Sequence, residues 1–145
     1  MFLGKYQCTL DGQNRLLAPQ AIQDQLSGSL YLSQGFDRNL LILTGSVFEE
    51  IYKRVMTLNI ADPLVRLLQR LVLSTARELE LNDAGQLSIP MELTEFADLK
   101  ENAVLVGLGD FIEIWSMEGW KQQEEELKNS DQNTSRFAGL TLATR

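Results

Sequence analysis

The stretch TLDGQNRLLAPQAI, Thr9 to Ile22, returns far downstream as ELNDAGQLSIPMEL, Glu80 to Leu93. Asp11 to Pro19 and Asn82 to Pro90 superpose at an offset of 71, and the likeness runs on beyond them. With one residue inserted the offset becomes 72, which aligns Gly35 with Gly107, Leu40 with Ile112, Leu43 with Trp115 and Phe48 with Trp120. Two copies indicate an internal duplication and not a solenoid, whose repeats stack in longer series. Units this small bury too little apolar area to stand alone, so the copies should pack on each other as a pseudo-two-fold pair.

Each copy reads strand, tight turn, strand, short helix, strand, turn, strand, helix, an α+β pattern. In the first copy Gln7 to Leu10 leads into Asp11-Gly12-Gln13-Asn14, and Arg15 to Ala18 leads out. Glycine and asparagine tolerate the positive φ that such a reversal demands. Asp83-Ala84-Gly85 does the same in the second copy. Pro19 and Pro90 open helices over Gln20 to Leu26 and Met91 to Phe96, where a missing backbone donor costs little. A second strand pair follows in each copy: Leu30 to Ser33 with Leu40 to Thr44, and Ala103 to Gly107 with Phe111 to Ser116. Gly35-Phe36-Asp37-Arg38 and Leu108-Gly109-Asp110 connect them.

The centre is helical. Ser46 to Glu49 has capping-box spacing ahead of apolar Phe48, Ile51, Tyr52, Val55, Met56 and Leu58. Asp62-Pro63 supplies an N-cap and first-turn proline for Leu64 to Leu73, with Leu64, Leu67, Leu68, Leu71 and Val72 as an apolar stripe. The resulting organisation is a first unit over 1–58, a linking helix over 59–75, a second unit over 76–121 and an acidic, polar tail over 122–145. In that tail a helix through Glu124-Glu125-Glu126 is expected to fray, and the short stretch Phe137 to Leu142 to be disordered or to dock on a partner subunit.

Composition narrows the function classes. The chain has 145 residues, no histidine and one cysteine, Cys8. The usual general base near neutral pH and the commonest zinc ligand are therefore missing, and no catalytic pair, metal or other cofactor is nominated. Cys8 has no partner for an internal disulfide and reads as a small packed residue. No apolar run is long enough for a membrane span and no signal peptide is visible, so a cytoplasmic address is expected, with no membrane and no small-molecule substrate as partner. The net charge of −7 is unevenly spread. Met1 to Arg77 carries eight Lys and Arg against six Asp and Glu, net +2, whereas the rest carries five against fourteen, net −9. An anionic partner would meet the first half.

Residues 1 to about 121 resemble the MraZ family, built from two SpoVT-AbrB swapped-hairpin domains. The resemblance rests on Met1-Phe2-Leu3-Gly4, Leu10-Asp11-Gly12-Gln13-Asn14-Arg15, Gly35-Phe36-Asp37-Arg38, Leu68-Gln69-Arg70-Leu71, and Leu105 to Asp110 running into Glu113-Ile114-Trp115. It implies a duplicated AbrB-like β-barrel with short helices. It also implies a cytoplasmic, nucleoid-associated transcriptional regulator that binds promoter direct repeats upstream of cell division and cell wall genes as a ring-shaped homo-oligomer. The partners are then double-stranded DNA and further copies of the chain.

The family's Asp-x-x-x-Arg motif carries over to Asp11 and Arg15, while Asn82 and Gln86 stand at the equivalent places in the second half. The Arg15 guanidinium offers paired donors suited to phosphate or guanine, and Asp11 can position it by accepting hydrogen bonds from the loop or from Arg15 itself. Lys5, Gln13 and Asn14 complete the DNA-contact set, although the family's turn lysine is Gln13 here and its third-position arginine is Leu3. Taken alone, the Asp11–Arg15 pair reads as a turn-stabilising ion pair; within the whole pattern of the resemblance, Arg15 reads as a DNA contact. Arg38 reads as a hairpin ion pair with Asp37 or the scaffold, and Trp115 and Trp120 as core and not as a stacking platform. The competing reading is an oligomeric scaffold or interaction protein with weakened or lost DNA binding, favoured by the acidic net charge and the neutral Gln13 and Gln86.

Overall fold

The computed structural model describes residues 1–140. Strand β1 (Phe2–Thr9) turns into β2 (Arg15–Leu17), followed by α1 (Gln20–Gln23), the hairpin β3 (Leu30–Gln34) and β4 (Leu40–Thr44), and helix α2 (Gly45–Met56). Helix α3 (Pro63–Thr75) leads to β5 (Arg77–Leu79), β6 (Gln86–Ser88), α4 (Met91–Phe96), β7 (Asn102–Gly109), β8 (Phe111–Ser116), α5 (Met117–Leu127) and α6 (Ser130–Phe137). The second half thus repeats the order of the first. No helix among the described residues is long and apolar enough to cross a membrane.

Six strands form one antiparallel sheet in the order β1-β7-β8-β4-β3-β5, and β2 and β6 form a separate ribbon. Each half's leading strand pairs with the hairpin of the other half: β1 lies along β7, with Tyr6 opposite Leu105, and β5 lies along β3, with Leu79 opposite Leu30. Equivalent strands meet at two places. Leu41 of β4 faces Glu113 of β8, and Leu16 of β2 faces Leu87 of β6. These are the crossing points of the pseudo-two-fold axis that the duplication calls for.

A closed barrel is not formed by the described residues. The sheet is open, with β1 and β5 at its edges, because the three-residue strands β2 and β6 pair with each other and are tied to the neighbouring chain only through isolated bridges, Leu10 to Leu16 and Leu81 to Leu87.

One sheet face, carrying Leu32, Ile42, Leu105 and Ile114, packs on the ribbon's Leu16 and Leu87 and on Ile22 and Leu93 from the short helices. The opposite face holds Val104, Val106 and Trp115 beneath half-buried Trp120 of α5, the two indoles 6.0 Å apart. Trp115 donates from Nε1 to Glu113 Oε1 at 2.8 Å, and its place is in the core, as the alignment with Leu43 implies. Buried Cys8 packs with the main core, and desolvation pushes its thiol up to about 12, far from reactive thiolate character. Gly107 permits the close approach of β1, since a Cβ there would stand 2.6 Å from the Phe2 and Leu3 backbone.

Several local readings need correction. Helix α1 stops at Gln23 instead of Leu26, the chain continuing in tight turns with Leu26 N donating to Gln23 O at 3.1 Å. Thr44, not Ser46, caps α2 by accepting from Val47 N at 3.3 Å, just as Ser116 caps α5 by accepting from Gly119 N. Asp62 caps α3 as its sequence indicates, accepting from Leu64 N at 2.9 Å. In the first turn the positive φ falls on Asn14, at 59°, one of the two residue types expected to carry it. Gly107 is matched by Gln34 and not by Gly35, because Gly107 pairs with Ile112 where Gln34 pairs with Leu40. The first hairpin loop is one residue longer, which shifts the register by one on its near side. Arg38, exposed and at φ 55°, forms no ion pair with Asp37 among the described residues. Beyond α5 a further helix, α6, follows; the expectation for Phe137 to Leu142 extends past the described residues.

Because strands are exchanged between halves, the two should unfold together. Leu16→Ala, at a side chain with no exposure, is expected to cost about 2–5 kcal/mol. Denaturant unfolding should show one transition at a lower midpoint, and two separate transitions would contradict the shared core.

Candidate nucleic-acid interface

The β2–β6 ribbon has two faces set by the period-two alternation of strands. Leu16 and Leu87 point inward and are completely buried. The opposed pairs on either side, Arg15 with Ser88 and Leu17 with Gln86, therefore share the outward face. Leu17 and Ser88 are exposed and Arg15 and Gln86 half-exposed. Antiparallel pairing places Arg15 at one end of this face and Gln86 at the other. The turns that carry them sit diagonally across the ribbon and not side by side at one edge.

At the first turn, Asp11 N donates to Arg15 O at 2.9 Å and Asn14 N to Asp11 O at 3.1 Å. Asp11 Oδ1 accepts from the backbone N–H groups of Gln13 and Arg15, both at 2.9 Å, and Oδ2 accepts from Arg15 Nε at 2.9 Å. The carboxylate is fully engaged as an anion. The backbone N–H of Arg15 chiefly holds its carboxyl below the usual carboxylate range; partial desolvation opposes this, and the Gln13 N–H and the Arg15 side chain reinforce it. The Arg15 side chain keeps 40% exposure, and its two terminal nitrogens donate no hydrogen bond among the described residues. Asp11 thus fixes the guanidinium by one edge and leaves the other edge open, which is the geometry a bidentate contact needs.

The second turn repeats the frame without the charge. Asn82 N donates to Gln86 O at 3.0 Å and Gly85 N to Asn82 O at 3.0 Å. Asn82 Oδ1 accepts from Ala84 N and Gln86 N at 3.0 and 2.8 Å, and its amide donates to Gln86 Oε1 at 3.1 Å. The positive φ falls on Gly85, at 78°, the counterpart of Asn14. The turns are locked into the opposite half: Ile89 N donates to Asn14 O at 2.8 Å and Ala18 N to Gly85 O at 2.9 Å.

The remaining sequence candidates separate. Gln13 is exposed at the turn tip, and Asn14 reaches across to Met91 Sδ at 3.5 Å. Lys5 is not part of the ribbon face. It lies on β1 and is paired with Glu124 of α5 at 2.6 Å, an interaction that lowers the Glu124 pKa. Sequence reasoning missed Leu17 and Ser88. Alternation about buried Leu16 would have shown Leu17, and the offset of 71 would then have shown Ser88.

Comparison with known proteins agrees with this duplicated arrangement. A family model described as "MraZ protein, putative antitoxin-like" matches twice, over residues 1–71 and 72–140. A protein of Roseiflexus castenholzii named transcriptional regulator MraZ is 39% identical over 95% of this chain and 94% of its own length. Proteins of the same name from Herpetosiphon aurantiacus and Dictyoglomus thermophilum are 39% and 32% identical, covering 83% and 97% of this chain and 85% and 98% of theirs. A model matching both repeats, together with relatives aligned along nearly the whole length, shows that this chain belongs to the MraZ family.

Proposed function

We propose that this protein is a DNA-binding transcriptional regulator that meets duplex DNA through the outward face of the β2–β6 ribbon, with Arg15 as its principal contact. The observation that carries this reading is the half-tied guanidinium: Asp11 holds Nε at 2.9 Å while the terminal nitrogens stay open on an exposed face. A two-stranded ribbon has the dimensions to enter a major groove, and an arginine presented edge-on can take guanine O6 and N7 or a phosphate. The nearby carboxylate of Asp11 does not oppose an anionic partner strongly, since three N–H donors already engage it. Gln13, Asn14 and, at the far end, Asn82 and Gln86 add neutral donors and acceptors. Lys5 joins only if Glu124 releases it.

One arginine per chain is a weak contact, since a bidentate base pairing is worth only about 1–3 kcal/mol. Repetition supplies the rest in this reading. A ring-shaped homo-oligomer set against promoter direct repeats turns weak contacts into avidity, with gains on the order of 10²–10⁴ when spacing fits. The reading includes promoters of cell division and cell wall genes and a place on the nucleoid. It also includes a swapped-hairpin architecture, supported by the way β1 and β5 each pair with the other half.

A second reading, an oligomeric scaffold with lost DNA binding, is favoured by the neutral second turn, where the Asn82 amide and Gln86 satisfy each other at 3.1 Å. A shift assay with a direct-repeat promoter fragment and a scrambled control, at low and physiological salt, separates the two. The regulator reading expects preference for the repeats and a steep loss with salt. Arg15→Ala should lower promoter affinity by about 5- to 150-fold for each subunit engaged with the DNA, while the native mass stays unchanged. Equal affinity in this variant would refute the assignment. Conversely, Asn82→Asp combined with Gln86→Arg installs the charged pair on a frame already built for it, and should raise affinity and steepen the salt dependence.

A further inference from the structure

Two surfaces of the fold are left uncovered among the described residues, the side of α3 that faces away from β3 and α2 and the end of the C-terminal arm, and their chemistry is complementary. Helix α3 has no buried residue along its 13 positions. Its outward face carries Leu64 and Leu67, 73% and 62% exposed, and the chain entering it adds Ile60 and Met56, 62% and 49% exposed. Arg66 and Arg70 flank the leucines at helical spacing; on the neighbouring α2, Arg54 adds a positive charge, while Lys53 is paired with Glu49 at 3.2 Å. From Ile51 to Ala76 the chain holds four Lys and Arg against Asp62 alone. This surface is apolar with a basic border.

The C-terminal arm is the reverse. Helix α5 carries Glu118, Glu124, Glu125 and Glu126 against a single lysine, and exposes Leu127 by 57% at its end. Helix α6 follows with eight residues, of which all but Asn133 are exposed, and presents Phe137 and, just beyond, Leu140, 49% and 63% exposed. A helix this short is marginal in water without a surface to pack on. Its Asn129 cap, accepting from Gln132 N at 3.1 Å, favours the helix, yet none of its side chains is buried among the described residues.

We infer that the acidic α5–α6 arm of one copy docks on the basic-bordered α2–α3 face of the next, making a head-to-tail interface between copies of this chain. The leucines of α3 receive Leu127, Phe137 and Leu140, and Arg66 and Arg70 meet Glu125 and Glu126. A symmetric meeting of two α2–α3 faces would set Arg54, Arg66 and Arg70 against their own kind, which disfavours it. Head-to-tail contacts close into rings when the rotation per subunit allows, so this interface rests on the ring reading above and supplies its contact surface. It also leaves the ribbon face uncovered.

Native mass spectrometry of the full chain tests it. Leu67→Asp disables the face, and Glu125→Lys with Glu126→Lys disables the arm. Each variant alone should fall to monomer, and mixing the two should give a one-to-one dimer, because each keeps the surface that the other lacks. Placing Arg66→Glu and Arg70→Glu in the same chain as the two lysine substitutions should restore assembly, which a misfolded variant could not do. Assembly of the wild type with both variants unaffected would overturn this interface and leave the ring to another surface. Loss of assembly in the face variant alone, with the arm variant intact, would replace it by a symmetric contact. A monomeric wild type would remove the interface and the ring reading together.

Discussion

The pairing of Leu16 with Leu87 is the contact on which the arrangement depends. It joins two equivalent strands, each only three residues long, and neither would persist as an isolated pair in water. Both side chains are sealed into the main core, so the ribbon is held by burial and not by the length of its ladder. Once those leucines point inward, strand alternation leaves no choice about Arg15, Leu17, Gln86 and Ser88: they must face out. The exposed face proposed to meet DNA is thus a by-product of the core contact behind it.

The same symmetry makes the loss of charge in the second half informative. Asn82 repeats the backbone work of Asp11, accepting from the amides two and four residues on, so the turn keeps its shape. What changes is the partner. Asp11 ties one edge of a guanidinium that still has two terminal nitrogens to offer, whereas Asn82 and Gln86 close on each other. Shape and charge are separable here, because Asn and Asp form the same turn hydrogen bonds and differ only in whether a cation is recruited. In the proposed reading, a single cationic end per chain makes self-association a requirement for strong DNA binding rather than an accessory to it.

Much of this is legible in the residues. The offset of 71 locates both turns and the leucine pair between them, and the proline and aspartate punctuation places α3 and α4 within two residues of their ends. The parts that are not legible depend on long-range pairing. No local pattern says that β1 lies on β7 instead of on its own hairpin, that the two turns end up diagonal, or that the sheet stays open among the described residues. Lys5 shows the same limit: near the chain start it reads as available to DNA, but its partner Glu124 is 119 residues away. The exchange of cap from Ser46 to Thr44 is a closer contest, since both are good capping residues and the end of β4 decides between them. The outward leucines of α3 read as a stripe, yet their exposure is visible only once the fold leaves them uncovered.

The most direct test is a structure of the assembled protein on a duplex carrying direct repeats. The account requires the β2–β6 ribbon against the DNA in each engaged subunit, with the Arg15 terminal nitrogens within hydrogen-bonding distance of phosphate or guanine and Asp11 still on Nε. A complex in which the ribbon faces solvent and the duplex lies along another surface would contradict it.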